Sequence, residues 1–138
     1  MKLGIITGWK EECFQYAKNL GLEAVEVCCN FYSDSKKFLE LAPETKALSE
    51  KYGLHVASVG RWGATRLDEE GNIIEQMMNE DKDCIDAAGI MGCPVFCCGC
   101  NRVEALSYYD NLQKAIEYFS ELVEYARPKG VKIAVYNC

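Results

Sequence analysis

Short apolar runs recur along the chain, and a longer amphipathic segment follows each of the first four. They occupy residues 2–7, 23–28, 54–59, 94–98 and 131–135. Short runs of this kind, closed by turn residues, predict β-strands. The runs are continuously apolar, and no Asn-Gly turn joins one to the next. We therefore expect a parallel sheet covered on both faces rather than a set of hairpins.

The segments between the runs have helical periodicity. Helices are predicted over residues 11–20, 42–52, 74–89 and 112–126. Pro43 and Gly53 are typical of the beginning and end of the second helix, and Asp34 can cap a helical turn before it. The last helix carries its apolar residues at the i, i+3, i+4, i+7 spacing: Leu112, Ala115, Ile116, Phe119, Leu122, Val123 and Ala126. The predicted order is βαβαβαβαβ.

Two α/β architectures fit this order. The strands start near residues 2, 23, 54, 94 and 131, a mean spacing of about 32 residues, and a (β/α)8 barrel of the TIM type uses ~31 residues per unit. On this count residues 1–138 form a single, partial domain of about half a barrel, ending on the fifth strand. The alternative is a flavodoxin-like doubly wound sheet, although that fold usually carries a further helix after its last strand.

Composition narrows the class of protein. With 138 residues, 49% of them hydrophobic and 26% charged, the chain resembles a soluble globular domain. A net charge of −6 disfavours a nucleic-acid partner. No run approaches the ~18–20 apolar residues of a membrane helix, and the N-terminus lacks a signal-peptide core. The nine cysteines mostly replace small apolar residues, so we expect reduced thiols and a cytoplasmic location.

Five stretches in order carry a family resemblance. They are KLGIITGW, NLGLEAVEV, KYGLHVASVG, AGIMGC before PVFCCG, and YARPKGVKIAVYNC. Together they resemble the N-terminal half of the xylose-isomerase-like TIM-barrel family of sugar phosphate isomerases and epimerases. The resemblance implies a divalent metal (Mn, Mg, Co or Zn) and a ketose or sugar phosphate substrate. It also implies proton transfer through a metal-stabilised enediolate.

The end of the chain departs from the family pattern. In the family, the first metal-ligating Glu ends strand five and is followed by Asn and then His or Cys. The resemblance aligns Asn137 and Cys138 with the last two positions and places Tyr136 at the position of the glutamate. A phenol with a pKa near ~10 is a poor ligand for Mg or Mn, which prefer carboxylates. The resemblance therefore assigns no metal ligand to this chain.

The ends of the predicted strands supply the candidate substrate-binding residues, because TIM-barrel chemistry lies at the C-terminal face. The two tryptophans fall there and could stack on a sugar ring or simply pack over the barrel mouth. Arg61 or Arg102 could hold a phosphate, or could be a solvated loop arginine. Glu26, the charged residue inside a strand, should point into the barrel and be hydrogen-bonded there. The predicted set is Trp9, Glu26, Arg61, Trp62, Asn101 and Asn137.

The cysteine and histidine residues give weaker indications of a functional site. Cys97 and Cys100 form a C-x-x-C pair, but it follows a strand instead of opening a helix, so packing is favoured over zinc or redox chemistry. His55 lies near the start of the third strand, far from the expected active face, and is expected to be structural.

Two functions remain in competition. The first is the sugar phosphate isomerase or epimerase, binding a small-molecule sugar and no nucleic acid or membrane. The second is a non-catalytic binding or assembly module built on a half barrel or flavodoxin-like sheet. A half barrel leaves strands one and five unpaired, and such edges favour pairing with another chain. We therefore expect a homo-oligomer, or pairing with a missing C-terminal half.

Overall fold

The computed structural model describes residues 2–136. Five strands alternate with five α-helices and two short 3-10 turns. The strands are β1 Gly4–Thr7, β2 Ala24–Cys28, β3 His55–Arg61, β4 Val95–Cys98 and β5 Lys132–Val135. The helices are α1 Glu11–Asn19, α2 Ser35–Glu40, α3 Ala42–Tyr52, α4 Glu75–Met91 and α5 Tyr108–Ala126. Asp34 caps α2 by accepting a 2.7 Å hydrogen bond from the Lys37 amide, and Gly53 ends α3 in the left-handed conformation.

The sheet is parallel throughout, and its strand order is β1-β2-β3-β4-β5. A flavodoxin-like sheet has the order 2-1-3-4-5, so the structure excludes that alternative. Sequential order is that of a barrel wall, in which each new strand pairs with the one before it. The described residues form about half of a TIM barrel, as the strand spacing predicts.

All the described helices form one layer, which corrects the expectation of a sheet covered on both faces. Contacts run from α1 to α3, from α3 to α4 and from α4 to α5, and each of these four helices packs on a neighbouring strand, while α2 packs mainly on α4. Right-handed crossovers between strands added in sequence place every helix on the same side. Val25, Val27, Val59 and Phe96 pack in the core beneath this layer. The opposite face, here called the inner face, corresponds to the barrel interior.

The apolar stripe predicted on α5 divides between two environments. Leu122 and Ala126 are buried together with Tyr118, whereas Leu112, Ile116 and Val123 are 44%, 49% and 40% exposed. The exposed residues line a shallow groove together with Val135 of the edge strand β5. The helix also begins four residues before its predicted start, because the Ser107 hydroxyl accepts a hydrogen bond from the Asp110 amide. No described helix is long and apolar enough to cross a membrane.

A buried carboxylate links the end of β3 to the helical layer. Asp81 of α4 is fully buried and accepts 2.7 Å hydrogen bonds from Arg61 and Arg66 and a 2.8 Å bond from Tyr118. Glu80 forms a second ion pair with Arg61. Burial alone would lower the pKa of Arg66, but hydrogen bonds and charge from Asp81 raise it above its ordinary value. No local sequence pattern indicates that Asp81 is buried.

The cysteines of the sheet and of α4 pack as small apolar side chains, as predicted. Cys84, Cys93 and Cys98 are at most 2% exposed, and all three belong to the hydrophobic core. Burial raises the pKa of Cys93 to about 11 and that of Cys98 to about 12, because a thiolate is poorly solvated there. These thiols therefore stay protonated and unreactive at neutral pH.

Replacing Asp81 with Asn should lower the free energy of unfolding by about 3–5 kcal/mol, because buried Arg66 loses its counter-charge and Arg61 keeps only Glu80. Urea denaturation followed by circular dichroism measures the change. The matched control is Glu124→Gln, which removes an ion pair with Arg127 whose side chains are 70% and 69% exposed. It should leave the midpoint nearly unchanged. An Asp81→Asn midpoint equal to that of the control would show that the network does not stabilise the fold.

Native Cys93 and Cys98 should react with iodoacetamide at pH 8 at least about a hundredfold more slowly than in urea, because only the thiolate attacks. Peptide mass spectrometry after timed quenching measures each site. The rates should rise as the pH approaches the raised pKa values of about 11 and about 12. Native rates at pH 8 close to those in urea would contradict the predicted protection.

Candidate functional site

Three side chains link the loops at the C-terminal edge of the sheet. Asn30 follows β2, donates a 2.9 Å hydrogen bond to the carbonyl of Trp62, and accepts a 2.8 Å bond from its amide. Tyr136 follows β5, and its hydroxyl accepts a 3.3 Å bond from the Gly63 amide. Asn101 follows β4 and bonds the backbone of the β3–α4 loop. The loops after four of the strands are therefore held in a fixed arrangement.

Glu26 of β2 lies on the inner face. It pairs with Ile6 of β1 and Ser58 of β3 across the sheet, and the Ser58 hydroxyl donates a 2.6 Å hydrogen bond to its Oε2. The Oε1 atom is buried and has no hydrogen-bond partner among the residues that the structure describes. The predicted orientation, with Glu26 facing the barrel interior and hydrogen-bonded there, agrees with this geometry.

Trp62 covers the inner face above β3. Its ring meets the ring of Tyr136 edge to face, with centroids 4.6 Å apart and planes inclined by 68°. A Cβ at Gly60 would lie 2.7 Å from Glu26 Oε1 and 2.8 Å from the Trp62 ring, so only glycine permits this approach. A Cβ at Gly99 would likewise lie 2.7 Å from the Tyr136 ring. Trp62, Tyr136 and Glu26 together form what we call the inner-face cluster.

Trp9 lies outside this cluster. It is half-buried and packs at a tilt on Tyr32, with ring centroids 6.2 Å apart. It lines a groove of about 540 Å³ beside the edge strand β1, together with Ile6, Tyr16 and Phe31. A ligand that contacted both Trp9 and Trp62 would have to extend across β1 and β2. Asn137 lies outside the described residues.

Arg61 and Asn101 are engaged in internal contacts. Side chains alternate along a strand, so Arg61 points to the helix side when Gly60 faces inward. Its guanidinium pairs with Asp81 and Glu80 instead of facing the inner-face cluster. The side-chain oxygen of Asn101 accepts hydrogen bonds of 2.7 and 2.9 Å from the amides of Arg66 and Leu67. Its NH₂ group donates a 3.0 Å bond to the Leu67 carbonyl. The structure therefore does not bring these two candidates to the cluster, and both act as structural residues here.

Neither the cysteine pair nor Tyr136 provides a site for a divalent metal. Within residues 2–136, no three His, Cys, Asp or Glu side chains are grouped to hold a metal ion. Burial raises the pKa of Cys97 and Cys100, the opposite of what a reactive pair requires. Tyr136 presents a phenol, packed on Gly99 and bonded to the Gly63 amide. The described residues therefore do not fit the metal that the resemblance implies.

Sequence reasoning missed three contributors to the cluster. Ser58 orients the Glu26 carboxylate, Gly60 makes room for it, and Gly99 makes room for Tyr136. The glycines in SVGRW and CCGC were visible signals, since a glycine at a strand end often marks a close approach. Ser58 had no such signal. His55 opens β3 at the opposite edge of the sheet and is exposed.

The same half-barrel occurs in solved structures at low sequence identity. A xylose isomerase domain protein from Planctomyces limnophilus matches with a TM-score of 0.73 and 16% identity, covering 97% of this chain and 53% of that one. A D-psicose 3-epimerase from Clostridium cellulolyticum, solved with D-tagatose, matches with a TM-score of 0.72 and 15% identity, covering 98% and 52%. An IolI protein with a bound zinc atom matches with a TM-score of 0.71 and 15% identity, covering 98% and 51%.

These likenesses establish the fold, and the chain spans about half the length of each of these structures. No curated protein matches it in sequence. The sequence model of the family described as "Xylose isomerase-like TIM barrel" matches residues 14–138, nearly the whole chain. The strand order agrees with that match. The chain belongs to the xylose isomerase-like TIM-barrel family.

Proposed function

We propose that the protein is a sugar isomerase or epimerase that moves a proton on a ketose or sugar phosphate. Membership of the family supports this class of reaction, and one structural relative is a D-psicose 3-epimerase solved with D-tagatose. The observation that carries the proposal is the inner-face cluster. An aromatic plane and an oriented carboxylate lie together at the C-terminal ends of parallel strands, where TIM-barrel enzymes bind substrates.

The described residues supply binding and orientation in this proposal. Trp62 is held by Asn30 and Tyr136, so its ring can pack on the apolar face of a sugar with little loss of entropy. Glu26 is fixed by Ser58 through Oε2, and its Oε1 is buried over Gly60 next to the Trp62 ring. Trp9 would contact a substrate only if it extended into the groove beside β1. Arg102 lines a separate pocket with Asp68 and Glu104, and these carboxylates would repel a phosphate.

A divalent metal would need ligands other than the described residues, since the resemblance aligns the phenol of Tyr136 with the family's glutamate and the described residues contain no group of metal ligands. We derive no catalytic step through a metal for this reason. We further propose that the protein is cytoplasmic, and that it binds a small-molecule sugar and neither nucleic acid nor membrane.

The proposed reaction predicts that solvent deuterium enters a ketose. The full chain, incubated with D-fructose, D-psicose or D-tagatose in D₂O, should catalyse exchange at a carbon next to the carbonyl, detected by proton NMR. Trp62→Ala should lower kcat/KM at least about tenfold, because burial of an aromatic side chain against ligand is worth more than ~1.4 kcal/mol. The matched control is Tyr109→Ala, an aromatic residue that is 66% exposed on α5. Absence of exchange with every ketose and with their phosphates would contradict the proposal.

The second candidate, a non-catalytic assembly module, is favoured by the apolar groove on α5. Ile116 and Val123 stand beside Val135, which is 60% exposed at the unpaired edge of β5. Large apolar side chains grouped on one face of a soluble domain mark interaction surfaces. Self-association through this groove is compatible with either candidate function. The groove would then be the interface of the expected homo-oligomer.

Ile116→Glu should shift the protein toward a smaller species in sedimentation-velocity experiments, because a charge cannot be buried in an apolar interface without a partner. Tyr108→Glu, on the same helix and 84% exposed outside the groove, should leave the sedimentation coefficient unchanged. A wild-type protein that sediments as a monomer at every concentration would rule out self-association through α5.

A further inference from the structure

Two free cysteines from distant parts of the chain meet between the sheet and the helical layer. Cys29 opens the 3-10 turn that follows β2, and Cys84 lies on α4. The Cys84 thiol donates a hydrogen bond to the sulfur of Cys29. Both side chains belong to the hydrophobic core, with exposed fractions of 5% for Cys29 and 0% for Cys84.

The neighbouring side chains place the two thiols together independently of that hydrogen bond. Cys29 and Arg61 line the same pocket of about 290 Å³. Arg61 donates a 2.7 Å hydrogen bond to Asp81, which is buried on α4 three residues before the buried Cys84. Residues three apart lie on the same side of a helix, with their Cβ atoms ~5–6 Å apart. Cys84 therefore lies on the helix face that meets Arg61 and Cys29.

Cys29 is the nucleophilic member of the pair. The hydrogen bond from Cys84 and the positive charge of Arg61 lower the pKa of the Cys29 thiol. Burial and the carboxylates of Asp81 and Glu80 oppose this shift without cancelling it. Burial and the same hydrogen bond raise the pKa of Cys84 well above its ordinary value. Because the thiolate is the nucleophilic form of cysteine, attack on an oxidant starts from Cys29.

Cys29 also has the access to solvent that Cys84 lacks. Its side chain reaches the pocket that it shares with Arg61, whose other lining residues include the polar side chains of Asn30, Ser33 and Ser35. Hydrogen peroxide is small, neutral and similar to water in its hydrogen bonding, so a polar pocket of this size admits it. We propose that Cys29 and Cys84 form a peroxide-reactive dithiol, in which Cys29 is oxidised first and Cys84 then closes a disulfide with it.

The proposed reaction takes two steps. The Cys29 thiolate attacks one oxygen of hydrogen peroxide, the O–O bond breaks, and the other oxygen leaves as hydroxide, which takes up a proton to form water. Cys29 is then a sulfenic acid. The sulfur of Cys84 attacks the Cys29 sulfur, the S–O bond breaks, and the hydroxyl group leaves with the Cys84 proton as a second water. Two thiols are thereby oxidised to one disulfide, and one peroxide is reduced to two waters.

The other described cysteines provide the comparison for this selectivity. Burial raises the pKa of the remaining thiols of the sheet and its strand ends, which are Cys28, Cys93, Cys97, Cys98 and Cys100. Cys13 of α1 is partly exposed and lines the groove beside β1. It is therefore the accessible thiol against which oxidation of Cys29 is to be measured.

The test treats the full chain, reduced and freed of reductant, with hydrogen peroxide at neutral pH, followed by alkylation and digestion without reductant. Tandem mass spectrometry should find peptides linked through Cys29 and Cys84, and dithiothreitol should separate them. In Cys84→Ala the sulfenic acid has no partner thiol, so the sulfenic-acid reagent dimedone should label Cys29.

Two further variants measure the order of the steps. Cys29→Ala should slow peroxide oxidation of Cys84 at least about tenfold, because the buried thiol reacts only through the Cys29 sulfenic acid. Cys13→Ser is the matched control, and the linked peptide should form in it within about twofold of the wild-type rate. Circular dichroism of each variant verifies that a slower reaction does not reflect loss of the fold.

Wild-type protein tests the proposal without any substitution. Oxidation of Cys13 or Cys97 while Cys29 and Cys84 stay reduced would overturn it. So would the absence of all oxidation under conditions that oxidise free glutathione. A Cys29 sulfenic acid that persists in the wild type without forming the linked peptide would refute the role of Cys84. None of these measurements involves a sugar, so their outcome is independent of the proposed isomerase.

Discussion

The order in which the strands pair determines most of this structure. A parallel sheet built in the order β1-β2-β3-β4-β5, with right-handed connections, places all its crossover helices on one side. The core therefore forms between that helical layer and one face of the sheet. The other face is left for polar and aromatic side chains. It is there, and at the C-terminal ends of the strands, that Glu26, Trp62 and Tyr136 meet.

The buried network around Asp81 stabilises this arrangement from the helix side of the sheet. Arg61 ends β3, Arg66 lies in the following loop, and both are tied to α4 through one carboxylate. The backbone between them carries Trp62, whose position is fixed from the other side by Asn30. Arg61, which the sequence analysis considered as a phosphate ligand, thus stabilises the fold by binding Asp81. It also helps to position Trp62 on the opposite face of the strand.

The inner face departs from a well-packed interior. The core beneath the helices is apolar and closed, whereas the inner face holds an oriented carboxylate and an indole N–H, and the side chains of Glu26, Trp62 and Tyr136 pack directly over two glycines. Unpaired buried polar atoms are rare in folded proteins, and each has a cost. The phenol of Tyr136 distinguishes these strand ends from a carboxylate-rich metal centre.

By itself, the sequence determined the strand and helix succession and the half-barrel count, because period, turn residues and unit spacing are local properties of the chain. It also placed Glu26 correctly on the inward face, because an isolated acid in a buried strand has few alternatives. The tertiary structure alone decided that Arg61 and Asn101 serve the fold, that Asp81 is buried, and that α5 exposes part of its apolar stripe. Those outcomes depend on which side chains meet across 15 to 35 residues of sequence separation, and local pattern does not encode that.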